Sequence, residues 1–177
     1  MMDLERLADA IKRLNAVSDE ITAITGRPAN RGITGEFIAS HIFDIQLHES
    51  AAAKDSDGVF ISGPLAGNEV NIKWYAYQEG LLDLKPDTSA DLYYLILTGD
   101  QRAATSSRGK AAHWTIHYVY LFHGVSLRDV LKQRKVKLGI ATSVYRQLWE
   151  NAEVHPNPRC SLLTLNQQQK DLLVLFG

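Results

Sequence analysis

Cysteine is nearly absent from this chain. Cys160 is the single one, so no disulfide can form within the chain, and a reducing, cytoplasmic setting is expected. An excess of charge of one sign is also missing. The formal net charge is −1, which excludes coating of nucleic acid by bulk charge and confines any DNA contact to a local patch. No apolar run approaches the roughly 20 residues of a membrane-spanning helix. From Asp3 onward the N-terminus alternates charged and apolar residues, unlike a signal peptide. A phosphate-cradling glycine loop is lacking as well, because "SSRGKAA" has neither the first glycine nor the spacing of a P-loop. Cys160, in "NPRCSLL", has no CxxC partner that would mark a thiol nucleophile.

What is present describes a folded chain. Of 177 residues, 45% are hydrophobic and 22% charged, the balance of a globular protein with room for one substantial core. Leu4, Leu7, Ile11, Leu14, Val17, Ile21 and Ile24 recur every three or four residues. They predict an amphipathic helix that stops near Gly26 and Pro28. A second helix is expected from about Gly32 or Thr34 to Phe43. "LHESAAA", "DGVFIS" and "NEVNIKWYAY" each fit a strand, and the turn residues between them suggest an antiparallel meander. "DLYYLILTG", residues 91 to 99, is apolar enough for a central strand covered on both faces. "HWTIHYVYLFHG" is expected as another strand, and "SLRDVLKQRK" as a helix capped by Ser126. Mixed structure follows around "TSVYRQLWENAEV", and the C-terminal "SLLTLNQQQKDLLVLF" is expected to pack back onto the body. The whole chain, 1 to 177, reads as a single α/β domain.

Within the meander one constellation could carry chemistry. Side chains alternate along a strand, so Asn71 and Lys73 share a face while Val70, Ile72 and Trp74 take the other. A short turn from Gly63 to Asn68 pairs the strand opening at Asp57 with the one holding Lys73, which brings the Asp57 carboxylate close to Asn71 and Lys73. Glu36 shares a helical stripe with Ala39 and Phe43 and faces partly inward. Two oxygen-rich side chains and a lysine suit phosphodiester hydrolysis. Mg²⁺ accepts carboxylate and water ligands, activates a bound water, and leaves the lysine to stabilise the transition state or orient the nucleophile.

Each residue also has a structural explanation. Glu36 fits the helix dipole if it lies in the first turn. Asp57 with Gly58 is a common turn pair, and Lys73 suits a sheet edge protected against aggregation. Glu69, two residues before Asn71 on the same face, is an alternative acid.

Taken in order, Glu36 in "GITGEFIASHI", Asp57 in "SDGVFI" and Lys73 in "VNIKW" resemble the core of the restriction-endonuclease-like superfamily of PD-(D/E)xK phosphodiesterases. The resemblance covers roughly residues 31 to 98. It implies a mixed sheet flanked by helices, to which this chain adds an N-terminal helix. It also implies an Mg²⁺-dependent DNA endonuclease of restriction type, with Mn²⁺ as an alternative ion, double-stranded DNA as substrate, and a homodimer. By that likeness Asp57 is the metal-binding aspartate, Lys73 the catalytic lysine and Glu36 the helix glutamate. Asn71 departs from the pattern, since Asp or Glu, sometimes Gln, usually stands two before the lysine. Its carbonyl oxygen can complete a metal's shell but brings no charge, so a catalytically inactive module that binds DNA or a protein is the alternative.

Phosphate contacts are expected from Arg102, Arg108 and Lys110 in the loop "GDQRAATSSRGKAA", and from Lys132, Arg134 and Lys135 in "KQRKVK". His113 and His117 on one strand stand too far apart to share an ion directly.

Overall fold

The computed structural model describes residues 2–49, 55–84, 92–100 and 112–177. Helix α1 (Met2–Thr25) precedes α2 (Arg31–Ile42), and then come β1 (Ile45–Leu47), β2 (Gly58–Phe60), β3 (Glu69–Tyr75) and β4 (Leu81–Leu82). The chain continues through β5 (Leu92–Thr98), β6 (Tyr118–His123), α3 (Gly124–Gln133), β7 (Thr142–Ser143), α4 (Arg146–Ala152), β8 (Glu153–His155) and α5 (Gln167–Val174). A mixed sheet in the order β1-β2-β3-β5-β6-β8 forms the centre, and β4 pairs with β7 in a small second sheet. The meander is present: β1 pairs β2 and β2 pairs β3, both antiparallel. β5 then lies parallel to β3 over its full length.

The period of two along β5 explains its place in the middle. Leu95 and Leu97 enter one hydrophobic cluster, with Val70, Ile72 and Trp74 of β3 and Ile38, Ala39 and Ile42 of α2. Leu92, Tyr94 and Ile96 enter another, with Leu127 and Leu131 of α3 and Trp149 of α4. Helices thus cover both faces, and the strand reads as nearly continuous apolar sequence because both sides are dry. The C-terminal segment returns onto the α2 face. Leu173 is buried there, and the Gln169 side chain donates to the Ile42 carbonyl at 2.8 Å.

Three expectations need correction. The first strand of the meander is Ile45–Leu47, not "LHESAAA": residues 45–47 pair with 58–60, and residues 50–54 lie outside the described ones. "IFDIQL" carries apolar residues at spacings that suit a helix end and a strand alike, so periodicity alone could not divide it. The β6 strand begins at Tyr118, because the Ile116 N–H donates to Phe176 of the C-terminal segment rather than to a strand neighbour. Ser126 is not a cap. Helix α3 starts directly after β6 with His123 at the N-cap position, and the Ser126 hydroxyl lies 2.7 Å from His123 Nδ1.

Gly35 sets how closely α2 lies on β3. A Cβ there would sit 2.9 Å from Trp74 Cβ and 3.2 Å from its ring. Gly35→Val is therefore expected to lower stability by about 2–3 kcal/mol through overpacking, read from the midpoint of urea denaturation. An unchanged midpoint would show that α2 can retreat from the sheet without cost.

Candidate functional site

The site forms where β2 parts from β3. Their ladder pairs only Gly58 with Val70 and Val59 with Glu69, so the second half of β3 meets β5 on one side and no β2 residue on the other. Asp57 fills the notch. Its N–H donates to the Val70 carbonyl at 2.8 Å, and its own carbonyl accepts from His48 N–H at 3.0 Å. Its carboxylate then accepts the Ile72 N–H at 2.6 Å, a ladder donor that β2 would otherwise have bonded. This carboxylate thus lies beside the backbone between Asn71 and Lys73.

Gly58, the next residue, does not serve a turn. It is not among the residues with positive φ. A Cβ there would stand 2.5 Å from the Gln46 carbonyl oxygen and 2.8 Å from Ile45 Cγ2. Close approach of β1 to β2 is what requires glycine at this position.

Asn71 is buried, and its Oδ1 has no hydrogen-bond partner among the described residues. Its amide nitrogen makes a 3.5 Å contact with the Asp55 carbonyl, which orients the group and leaves the oxygen unengaged. A buried acceptor without a donor costs about 1–3 kcal/mol, so this oxygen calls for an explanation beyond packing. Lys73, on the same face, reaches Asp83 at 3.7 Å, with both side chains partly exposed.

Glu36 belongs to the second turn of α2. The helix starts at Arg31, with Asn30 as N-cap accepting the Ile33 N–H at 2.9 Å, so the dipole account of Glu36 fails because that effect fades within the first turn. Its carboxylate is paired with Arg27 at 2.9 Å. Burial and then the negative field of Asp57 push the Glu36 carboxyl above the ordinary carboxylate value, while Arg27 and Lys73 pull it back. Glu36 thus lies within electrostatic reach of Asp57 and Lys73, but α2 covers the sheet face of Val70, Ile72 and Trp74, whereas Asn71 and Lys73 share the other face with Tyr94 and Ile96.

The direction of that shift fixes a pH dependence. The folded carboxyl holds its proton more tightly than the unfolded one. Stability is thus fully present below the ordinary carboxylate value and is lost as pH rises through the folded one. Glu36→Gln is neutral throughout and should be more stable than the parent above that window, with the gap opening as pH rises. Urea denaturation from pH ~4 to ~8 checks it; a gap that closes with rising pH would reverse the sign.

Of the other residues singled out in the sequence, Glu69 is engaged by the segment that leads into the notch. It accepts from the Ser56 hydroxyl and lies 2.9 Å from His48 Nε2, which ties β3 to the segment leading into Asp57. His117 contacts Asp100 at 2.6 Å. Lys132, Arg134 and Lys135 are exposed at the C-terminal end of α3, and the Arg134 guanidinium stacks 4.4 Å from the Tyr145 ring centroid. Arg102, Arg108 and Lys110 lie outside the described residues. Sequence reasoning missed Arg27 and Asp83, the partners of Glu36 and Lys73, because neither shares a motif or a strand face with the residue it pairs.

The Asp57 carboxylate and the Asn71 amide oxygen are ligand types that Mg²⁺ accepts, since it commonly binds through one or two carboxylates and keeps several waters. Among the described residues no group of three His, Cys, Asp or Glu converges on a metal-sized point. No protein-family model matches the chain, and no curated protein matches it.

Proposed function

We propose that this chain is an Mg²⁺-dependent endonuclease that hydrolyses phosphodiesters of double-stranded DNA, of restriction type, with Mn²⁺ able to substitute. The observation that carries the reading is the unpartnered, buried Asn71 oxygen beside the Asp57 carboxylate. A buried neutral acceptor without a protein donor, on the residue that follows the Asp57–Val70 backbone bond, suits an oxygen that meets a cation or its water.

In this reading Asp57 is the principal ligand. Its anchoring on the Ile72 N–H holds the carboxylate at the edge of the notch. Asn71 adds an oxygen without charge. Glu36 gives the second carboxylate once Arg27 has moved off it, so Arg27 guards the acid pair in the absence of a cation. The ion, when bound, lowers the pKa of a water and neutralises charge growing on the phosphate. Lys73 stands at the open half of β3, where its ammonium can meet the pentavalent phosphate and steady the attacking water. The duplex is gripped locally by Lys132, Arg134 and Lys135, with Arg102, Arg108 and Lys110 as further phosphate contacts, because a net charge of −1 gives no general attraction.

A second reading has its own support. With Asn71 in place of an acid, the notch carries one negative charge fewer than the pattern it resembles, which suits a module that binds DNA or a protein without cutting. Incubating the protein with a long phage DNA of mixed sequence, with Mg²⁺, Mn²⁺ or chelator, separates the two. Discrete fragments that vanish with chelator are expected. A gel shift insensitive to chelator, with no strand broken at any ion concentration, would establish the module instead.

A further inference from the structure

A cleft opens where β6 outruns β8. The two strands pair only through Val119 with His155 and Tyr120 with Glu153. Helix α4 ends at Ala152, directly before β8, so no strand residue stands opposite Leu121, Phe122 and His123 on that side. The space left there is about 510 Å³, within the roughly 300–1,000 Å³ usual for small-molecule sites. Phe122, Leu127, Val130, Leu148, Ala152 and Leu162 give it apolar walls, drawn from β6, α3, α4 and the segment after β8. Few polar side chains join them: His123, Ser126, Asn151, Arg159 and Ser161. Among the described residues no aspartate or glutamate lines the cleft, and Arg159 is the one lysine or arginine that does.

Arg159 is placed to change partners. Its backbone N–H donates to the Glu153 carbonyl at 2.8 Å, and the Cys160 N–H donates to the same oxygen at 2.9 Å, which pins this segment against β8. The side chain is freer. It is 57% exposed and reaches one oxygen of Glu150 at 3.6 Å, while Arg146 holds the other at 2.7 Å. A pair that wet and that long contributes little, and Glu150 keeps its closer cation when Arg159 turns away.

We propose that this cleft binds a small apolar monocarboxylate, its alkyl or aryl body against α3 and α4 and its carboxylate on Arg159. Charge decides the class. A cation would meet Arg159 with no acid in the walls to offset it. A wholly apolar molecule would strip water from the guanidinium and return nothing. A carboxylate offers the planar pair of oxygens that the fork of guanidinium donors fits. A second carboxylate would have to lie against apolar walls without a partner. In the sheet order the cleft lies at β6 and β8, away from the notch between β2 and β3, so the inference stands whether or not the chain cuts DNA.

Cys160 supplies the readout. It is the single cysteine of the chain, lines the cleft and is 8% exposed, so its alkylation by N-ethylmaleimide reports on this place alone. Decanoate or 2-naphthoate, kept below micelle formation, should slow that reaction saturably, and decylammonium should not. Arg159→Gln should raise the half-protecting concentration of the carboxylate at least ~10-fold, the scale of losing a charge-assisted hydrogen-bonded pair. Glu150→Gln, which only releases Arg159, should leave that concentration equal or lower. A mere strut between the two residues would lose the same from either side. Val130→Trp, which fills the cleft, should abolish protection, with circular dichroism confirming the fold; if that variant unfolds, the two charge variants still decide. No protection by either carboxylate, equal protection by decylammonium, or a half-protecting concentration unmoved by Arg159→Gln would each overturn the proposal.

Discussion

Asp57→Asn is expected to lower metal-dependent DNA cleavage by at least ~10³-fold, a loss of about 4 kcal/mol of transition-state stabilisation, while leaving the fold intact. The substitution separates two roles of one side chain. An asparagine oxygen can still accept the Ile72 N–H that the carboxylate accepts at 2.6 Å, so the seam between β2 and β3 survives. What is lost is the charge, in a notch where Asn71 already contributes none. Binding of Mn²⁺, followed by calorimetry or electron paramagnetic resonance, should weaken in parallel with cleavage. Asp57→Ala should behave differently. It also strands the Ile72 N–H, so about 1–3 kcal/mol of stability should disappear with the activity. Undiminished cleavage by a correctly folded Asp57→Asn protein would remove this residue from the metal site.

That division between charge and scaffold also marks what the one-dimensional pattern could convey. Local periodicity places α1, and apolar runs place β5 and most of β6, because burial on one stripe or on both faces leaves a mark in consecutive residues. The meander follows from turn chemistry, and with it the neighbourhood of Asp57 and Lys73. The notch itself leaves no such mark. It exists because β2 pairs with β3 over two positions only, and register of that kind depends on residues far apart in sequence. Glu36 shows the same limit. Its ion pair with Arg27 bridges the turn between α1 and α2, and its place in the second turn depends on Asn30 acting as cap. The Lys73 contact with Asp83 needs the path of the chain after β3. Lys73 is likewise no edge residue in the simple sense, since β3 is interior to the sheet and only its second half lacks β2.

The lysine therefore allows the sharpest separation of a structural from a chemical role. Lys73→Met should cut the cleavage rate by ~10²–10³-fold, the scale of removing one preorganised charge from a transition state, and should leave Mn²⁺ affinity equal or higher because a competing cation has gone. Stability should hardly move. The Lys73 and Asp83 side chains are 29% and 40% exposed and 3.7 Å apart, and an ion pair that wet contributes at most about 1 kcal/mol. Asp83→Asn gives the matching control: it breaks the same pair yet should retain most of the rate. A further signature follows from Glu36, whose proton affinity Lys73 lowers. Without the lysine that carboxyl holds its proton to higher pH, so the acidic limb of the pH–rate profile of Lys73→Met should shift to the alkaline side. If Lys73→Met and Asp83→Asn instead lose the same stability and the same activity, with the limb unmoved, the pair is a strut of the sheet and the ammonium has no part in breaking the phosphodiester.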